Sequence, residues 1–189
     1  MTKFINYLTN ETKTYVAEIT VGIKTTTGDI DGDVIDSSKN LPSKEEFEIE
    51  IINFIGDVNQ KPPMFSSLKF KGKPYRYYAK KGIPIQIKER KIRIENIQII
   101  SFLENKLKLK VDCGPGTYIR SLAEDICEKL GTFGCISNLT RIQSAGFQIE
   151  SCLELSEITE ENIDRKIISP GDALRAVSYT HLRAHETFH

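Results

Sequence analysis

The chain has 189 residues, 39% hydrophobic and 28% charged, and its 26 basic residues balance 26 acidic ones. That is the size of one ordinary domain with enough apolar residues for a core, and the even balance argues against a strongly cationic ribosomal type of chain. No apolar run approaches the ~20 residues of a membrane helix, and the opening MTKFINYLTN lacks the charge-then-apolar pattern of a secretory leader, so the expected location is the cytoplasm. Cys113, Cys127, Cys135 and Cys152 show no CxxC pairing, which argues against both a structural zinc site and a disulfide scaffold.

In chain order, Tyr15, Ala17, Ile19 and Val21 alternate with Val16, Glu18 and Thr20, which predicts a strand over 15–21. GIKTTTGDIDGD follows, rich in Thr, Gly and Asp, and reads as a loop. Ser43 with Glu46 makes a capping box, and Phe47, Ile51, Phe54 and Ile55 then recur at helical spacing as far as Gly56. QKPPMFSSLKFKGKPY is broken by prolines and glycine, and Tyr75–Lys81 predicts a short helix stopped by Gly82. Residues 90–100 and 106–113 are both extended in pattern and predict a hairpin turning at 104–106. From Thr117 the period changes: Ile119, Leu122, Ala123, Ile126 and Leu130 predict a helix that stops at Gly131. A strand over 146–150 and a last helix from LSEITEEN complete the domain. Grouped strands, separate helices and hairpin links indicate an α+β class with a mixed, mainly antiparallel sheet flanked by helices, over residues 1–175.

The zero net charge hides an asymmetry. Between Lys61 and Arg93 lie eleven Lys/Arg (61, 69, 71, 73, 76, 80, 81, 88, 90, 91 and 93) against Glu89 alone, whereas residues 1–60 hold five basic and eleven acidic residues. Phe65, Phe70, Tyr75, Tyr77 and Tyr78 are interleaved with the cations, which supplies charge for phosphates and flat faces for bases. The end of the chain, AVSYTHLRAHETFH, continues no periodicity and resembles translated adapter DNA; residues 176–189 are expected to be a non-native tail. Its His181, His185 and His189 have a spacing compatible with metal, but the tail's character argues against a metal site.

Four stretches in order, KTYVAEITVGIKTTTGDIDG, PPMFSSLKFKGKPYRYYAKKGI, CGPGTYIRSLAEDICEKLG and LTRIQSAGF, give the chain over about residues 2–175 a resemblance to the TruB family of tRNA pseudouridine synthases. The resemblance implies a pseudouridine-synthase catalytic domain that isomerises the T-loop uridine of tRNA, position 55, with no metal and no organic cofactor. It also implies a tRNA partner contacted through the T-arm, and a monomer. The target uridine must leave its stack to be reached.

The resemblance assigns the site residue by residue. Tyr15 matches a tyrosine that stacks on the flipped uracil and takes the proton from C5, although alternation alone makes it a core residue. Asp29 matches an aspartate beside the flipped nucleotide, although on its own it reads as a turn residue. Lys69 belongs to the RNA-facing surface, where it neutralises phosphate. Arg120 matches the arginine that pairs with the nucleophilic aspartate and holds it ionised; a guanidinium fork suits a carboxylate and keeps its charge. Gly114-Pro115-Gly116 is expected to let the backbone approach the pocket, with Tyr118 presented beside Arg120. Leu139 matches a leucine lining the same pocket.

The family's nucleophile sits in a GxLDPxAxGxL motif, and this sequence contains no Leu-Asp-Pro. MTKF matches the family just downstream of that motif. The expectation is therefore an amino-truncated piece, also lacking the small RNA-binding domain that follows in relatives, catalytically inactive and destabilised by an unpaired sheet edge and an Arg120 without its partner. The competing expectation is a non-catalytic tRNA-binding or tRNA-folding protein, against which the retention of Tyr15 and Arg120 argues.

Overall fold

The computed structural model describes residues 11–169 and 171–173; the expected tail at 176–189, with all three histidines, lies outside them. The described residues divide into two compact units, one of residues 15–140 and one of residues 11–14 with 141–169 and 171–173.

The larger unit is built on β1 (Lys13–Val21), whose alternation buries Ala17, Ile19 and Val21 as the sequence predicts. Of the loop expected at 22–33, residues 26–33 are turns and bends as read, while Ile23–Thr25 forms β2, which pairs with β3 (Val34–Ser37) just beyond it in a short hairpin. Its threonines and valine favour extended backbone, which the glycines and aspartates around them mask in the sequence. The predicted capping box is present: Ser43 accepts from the Glu46 amide and the Glu46 carboxylate accepts from Ser43, opening α1 (Lys44–Ile51). This helix buries Phe47 and Ile51 but ends earlier than expected, giving way to a 3₁₀ turn at Ile52–Phe54. Ile52 and Ile55 are exposed, so no apolar stripe carries the helix on to Gly56.

Gly56 starts a strand rather than closing a helix. β4 (Gly56–Gln60), which the polar sequence GDVNQ does not announce, pairs antiparallel with β7 (Arg90–Leu103) from Gly56↔Ile94 to Gln60↔Arg90. Between them lie a two-stranded hairpin, β5 (Lys69–Phe70) with β6 (Lys73–Pro74), and α2 (Tyr75–Lys80), close to the predicted short helix. β7 and β8 (Lys106–Cys113) form the predicted antiparallel hairpin, turning through Glu104 at φ 54. Register shifts at Ile94/Asn96 and Ile99/Ser101 change the phase of β7, so Ile92, Ile94 and Ile97 all face the core while Ile100 is exposed.

Next comes α3 (Ile119–Lys129), two residues later than the sequence expectation at Thr117, because Thr117 turns its hydroxyl back to the Gly114 carbonyl. It buries Ile119, Leu122, Ala123, Ile126 and Cys127. β9 (Gly134–Ser144) returns beside β1: Gly22 donates to the Phe133 carbonyl and the Ser137 hydroxyl to Glu18, so the two run in opposite directions. No strand is predicted there, since Asn138 and Leu139 are exposed side by side and break the alternation. The sheet order in this unit is β9-β1-β8-β7-β4. Leu107, Leu109 and Val111 of β8 pack with Ile19, Phe47, Leu122 and Ile126 into one core, with Phe47 edge-on to Phe102 at 5.4 Å. This is the expected α+β class.

In the other unit the end of β9 pairs with β10 (Phe147–Gln148), Phe147↔Ser144 and Gln148↔Gln143. The strand expected over 146–150 is thus two residues long, followed by a 3₁₀ turn at Ile149–Ser151. The last helix expected from Leu155 is a 3₁₀ turn at Leu155–Glu157 and a single turn, α4 (Ile163–Lys166). Leu155 is 86% exposed, and a segment with no buried face has nothing to hold a longer helix.

Candidate active site

Arg120, in the first turn of α3, is the centre of the arrangement. Its Nη1 donates to the Thr27 carbonyl at 2.8 Å and to Asp29 Oδ2 at 3.0 Å, and its Nη2 donates to the Phe65 carbonyl at 2.8 Å. One guanidinium therefore ties together the helix start, the 25–30 turn and the proline-rich 61–68 segment. Arginine suits this because its five donors diverge in a fixed plane, so three acceptors from different directions are satisfied at once. Arg120 is not left unpaired as expected: Asp29, 91 positions away in sequence, bonds it, although Asp29 is not the motif aspartate whose absence prompted that expectation.

Local chemistry holds Asp29 in place. The Thr27 hydroxyl donates to Asp29 Oδ1 at 2.6 Å and the Thr25 hydroxyl to its carbonyl at 2.7 Å. Asp29 also forms a parallel bridge to Ile136, with the Ile30 amide donating to the Ile136 carbonyl and the Ile136 amide to that of Gly28. Gly28 has φ +76, a conformation that calls for glycine, whereas a Cβ there would lie 3.1 Å from the Glu124 carboxylate, the flexible end of a side chain that can shift to make room. Asp29, Arg120, Ile136 and Leu139 line a cavity of about 300 Å³ together with Asp31 and Asn138.

Of the candidate residues, Asp29, Arg120 and Leu139 are brought together. Tyr15 does not line this cavity; it is half-buried on β1, packed against the core cluster. Tyr118 caps the start of α3 through its backbone, since the Gln60 side chain accepts from its amide at 2.8 Å and donates to its carbonyl at 3.0 Å. Lys69 is exposed on β5. In the Gly-Pro-Gly turn, Gly116 has a φ of +84, which favours glycine, and a Cβ there would meet no protein atom within 4 Å.

Sequence reasoning missed several participants. Thr27, two residues before Asp29, carries a recognisable signal, because a hydroxyl at that spacing commonly bonds a turn residue. Phe65 acts through its carbonyl and carries none. Glu18 accepts from Ser137 at 2.7 Å and lies 3.5 Å from Lys106, and these two hold its carboxyl below the ordinary range, the Ser137 hydrogen bond being the larger cause. Behind Arg120 on α3, burial raises Glu124, with Asp125 adding to the effect, while Lys24 and Arg120 oppose it. Asp125 is pushed up to about 6 by burial first and then by Glu128 and Glu89. Both line a second cavity of about 440 Å³ with Lys24, Lys61 and Phe65.

The chain is similar to "tRNA pseudouridine synthase B" of Francisella tularensis subsp. holarctica (strain FTNF002-00 / FTA), 40% identical over 170 residues, covering 89% of this chain and 56% of the relative. The Francisella philomiragia subsp. philomiragia protein of the same name is 39% identical with the same coverage. The chain thus spans a little over half the length of these relatives. Among solved structures, a Cbf5-Nop10-Gar1 complex matches with a TM-score of 0.67 at 21% identity, over 93% of this chain and 46% of that one. An H/ACA RNP bound to a substrate RNA containing 2'-deoxyuridine matches at 0.58 and 17% identity, over 91% and 42%. These likenesses show a shared fold. The model of the TruB family pseudouridylate synthase N-terminal domain matches residues 1–119, and the chain belongs to that family.

Proposed function

We propose that this chain is the core of a tRNA pseudouridine synthase that isomerises the T-loop uridine at position 55, and that the 189 residues alone do not turn over. The supporting observation is the guanidinium of Arg120, held by two carbonyls and Asp29 on the wall of a cavity large enough for a flipped pyrimidine. In the reaction the bond from uracil N1 to the ribose carbon breaks, the base turns, C5 joins the same carbon, the C5 proton leaves and N1 takes up a proton. Substrate and product are isomers, so no oxidant or donor enters.

In this reading Arg120 aligns an incoming nucleophilic carboxylate, exchanging or sharing its bond to Asp29. Asp29 and Leu139 border the flipped base, Tyr118 shapes the helix entrance and Lys69 neutralises tRNA phosphate, while Tyr15, which lies outside that cavity on β1, must be reached by the base on binding for it to stack there and accept the C5 proton. The reading includes a monomeric cytoplasmic enzyme working without metal or organic cofactor. Because the sequence holds no Leu-Asp-Pro, it lacks the carboxylate that would attack the ribose. Incubation with unmodified tRNA transcript should give binding without pseudouridine, while an in-frame upstream sequence encoding Leu-Asp-Pro should restore turnover when fused. Turnover by the 189 residues, or none by the fused chain, refutes the proposal.

A further inference from the structure

Asp31 and Asn138 line the cavity of about 300 Å³ at Arg120, yet neither side chain helps to hold the other residues of the site. Asp31 stands in the turn between β2 and β3, and Asn138 lies within β9. Each is two residues beyond the bridge between Asp29 and Ile136, one on either side of it. Backbone bonds fix both positions: the Ile30 amide donates to the Ile136 carbonyl at 2.8 Å, and the Gly32 amide donates to the Asp29 carbonyl at 3.2 Å.

Both side chains are exposed, and among the described residues neither makes a hydrogen bond or an ion pair. Their polar neighbours are already committed. Asp29 accepts from Thr27 on one oxygen and from Arg120 on the other, and the Ser137 hydroxyl donates to Glu18. Ile30, Ile136 and Leu139 make the rest of the wall apolar. Apart from Arg120, what the cavity offers an incoming base is one carboxylate that only accepts and one amide that both donates and accepts.

We propose that Asp31 and Asn138 determine base specificity by reading the N3 edge of the flipped pyrimidine, Asp31 accepting from N3–H and the Asn138 amide donating to the carbonyl oxygen beside it. This rests on the reading that places the target uridine in the cavity. Uracil presents acceptor, donor and acceptor along O2, N3–H and O4, so its N3 carries the hydrogen that a carboxylate needs. Cytosine turns a lone pair towards Asp31 at the same place, and the two bases are told apart by a repulsion as well as by a lost bond. The same edge suits the isomerisation. A half-turn of uracil about the line from N3 to C6 exchanges N1 with C5 and O2 with O4, and leaves N3–H where it was. Asp31 and Asn138 therefore keep the same two bonds before and after the base turns.

The test is fluorescence anisotropy of the whole chain with labelled tRNA T-arm stem-loops carrying uridine, N3-methyluridine, cytidine or an abasic sugar at the target position. The unaltered chain should bind the uridine stem-loop about tenfold more tightly than the N3-methyluridine and cytidine ones. Asp31→Ala should bring those three within about twofold of one another, and Asn138→Ala should weaken uridine binding about threefold. Neither substitution should weaken binding of the abasic stem-loop, which separates base reading from the general effect of a charge near RNA. Equal binding of uridine and N3-methyluridine by the unaltered chain overturns the proposal, as does a preference that survives undiminished in Asp31→Ala. A loss on the abasic stem-loop equal to the loss on the uridine one overturns it too. Failure of the unaltered chain to bind the uridine stem-loop overturns the tRNA reading itself, and the proposal with it.

Discussion

Replacing Arg120 by methionine removes the charge and all three hydrogen bonds while keeping most of the side-chain length. The Thr27 and Phe65 carbonyls lose donors, and the Asp29 carboxylate keeps its 2.6 Å bond from the Thr27 hydroxyl. A fully buried pair broken on one side costs about 3–5 kcal/mol. Here Arg120 is 23% and Asp29 32% exposed, so water recovers part of the loss, and about 2–3 kcal/mol is expected. Arg120→Lys keeps the charge but cannot span three acceptors, and about 1–1.5 kcal/mol is expected. Urea unfolding followed by circular dichroism measures both, with Lys44→Met as an internal reference. Lys44 pairs with Glu48 at 3.1 Å, both about half exposed, and that surface pair is worth about 0.3–0.5 kcal/mol. If Arg120→Met shifts the midpoint no more than Lys44→Met, the guanidinium is not holding the three segments together and the structural basis of the site fails.

Asp125 gives a pH signature: its folded value of about 6 lies above the ordinary 3.8, so the folded state binds the proton more tightly than the unfolded chain. Its penalty is full above pH 6 and fades as pH falls towards 4. Asp125→Asn should therefore raise stability at pH 7 by about 1 kcal/mol, discounted for partial exposure from the ~1.4 kcal/mol per pKa unit, and the gain should vanish near pH 4 in melts across that range. For thiol chemistry, Cys152 is exposed while Cys113, Cys127 and Cys135 are buried, and burial pushes the Cys127 thiol up to about 12. Ellman titration of the native chain should find one fast thiol, absent in Cys152→Ser, with the other three reacting on unfolding; two or more fast thiols would contradict the packing around α3.

The elements that were legible share one property, a repeating burial pattern that a single face imposes. β1, β8 and α3 bury one side against one core, so periods of two and 3.6 show directly in Ala17-Ile19-Val21, Leu107-Leu109-Val111 and Ile119-Leu122-Ile126. β4 and β9 were not legible because backbone pairing specifies them more than side chains do. GDVNQ gains its strand conformation from five partners on β7, and β9 pairs through a stretch where Asn138 and Leu139 both face outward. The candidate residues came from quoted motifs, and spacing alone could not bring position 29 to position 120. That meeting depends on Gly28, on the bridge to Ile136 and on a carbonyl at Phe65, none of which has a one-dimensional signature.

The Gln60 side chain, bonded to both the amide and the carbonyl of Tyr118, behaves like a peptide group borrowed by the helix entrance. Glutamate there would still accept but would no longer donate, so a one-atom change would free one end of the link and keep the other. β4 and the entrance of α3 are in this way registered to each other by a single amide, and any force that displaces residues 56–60 is delivered to the residue two places before Arg120.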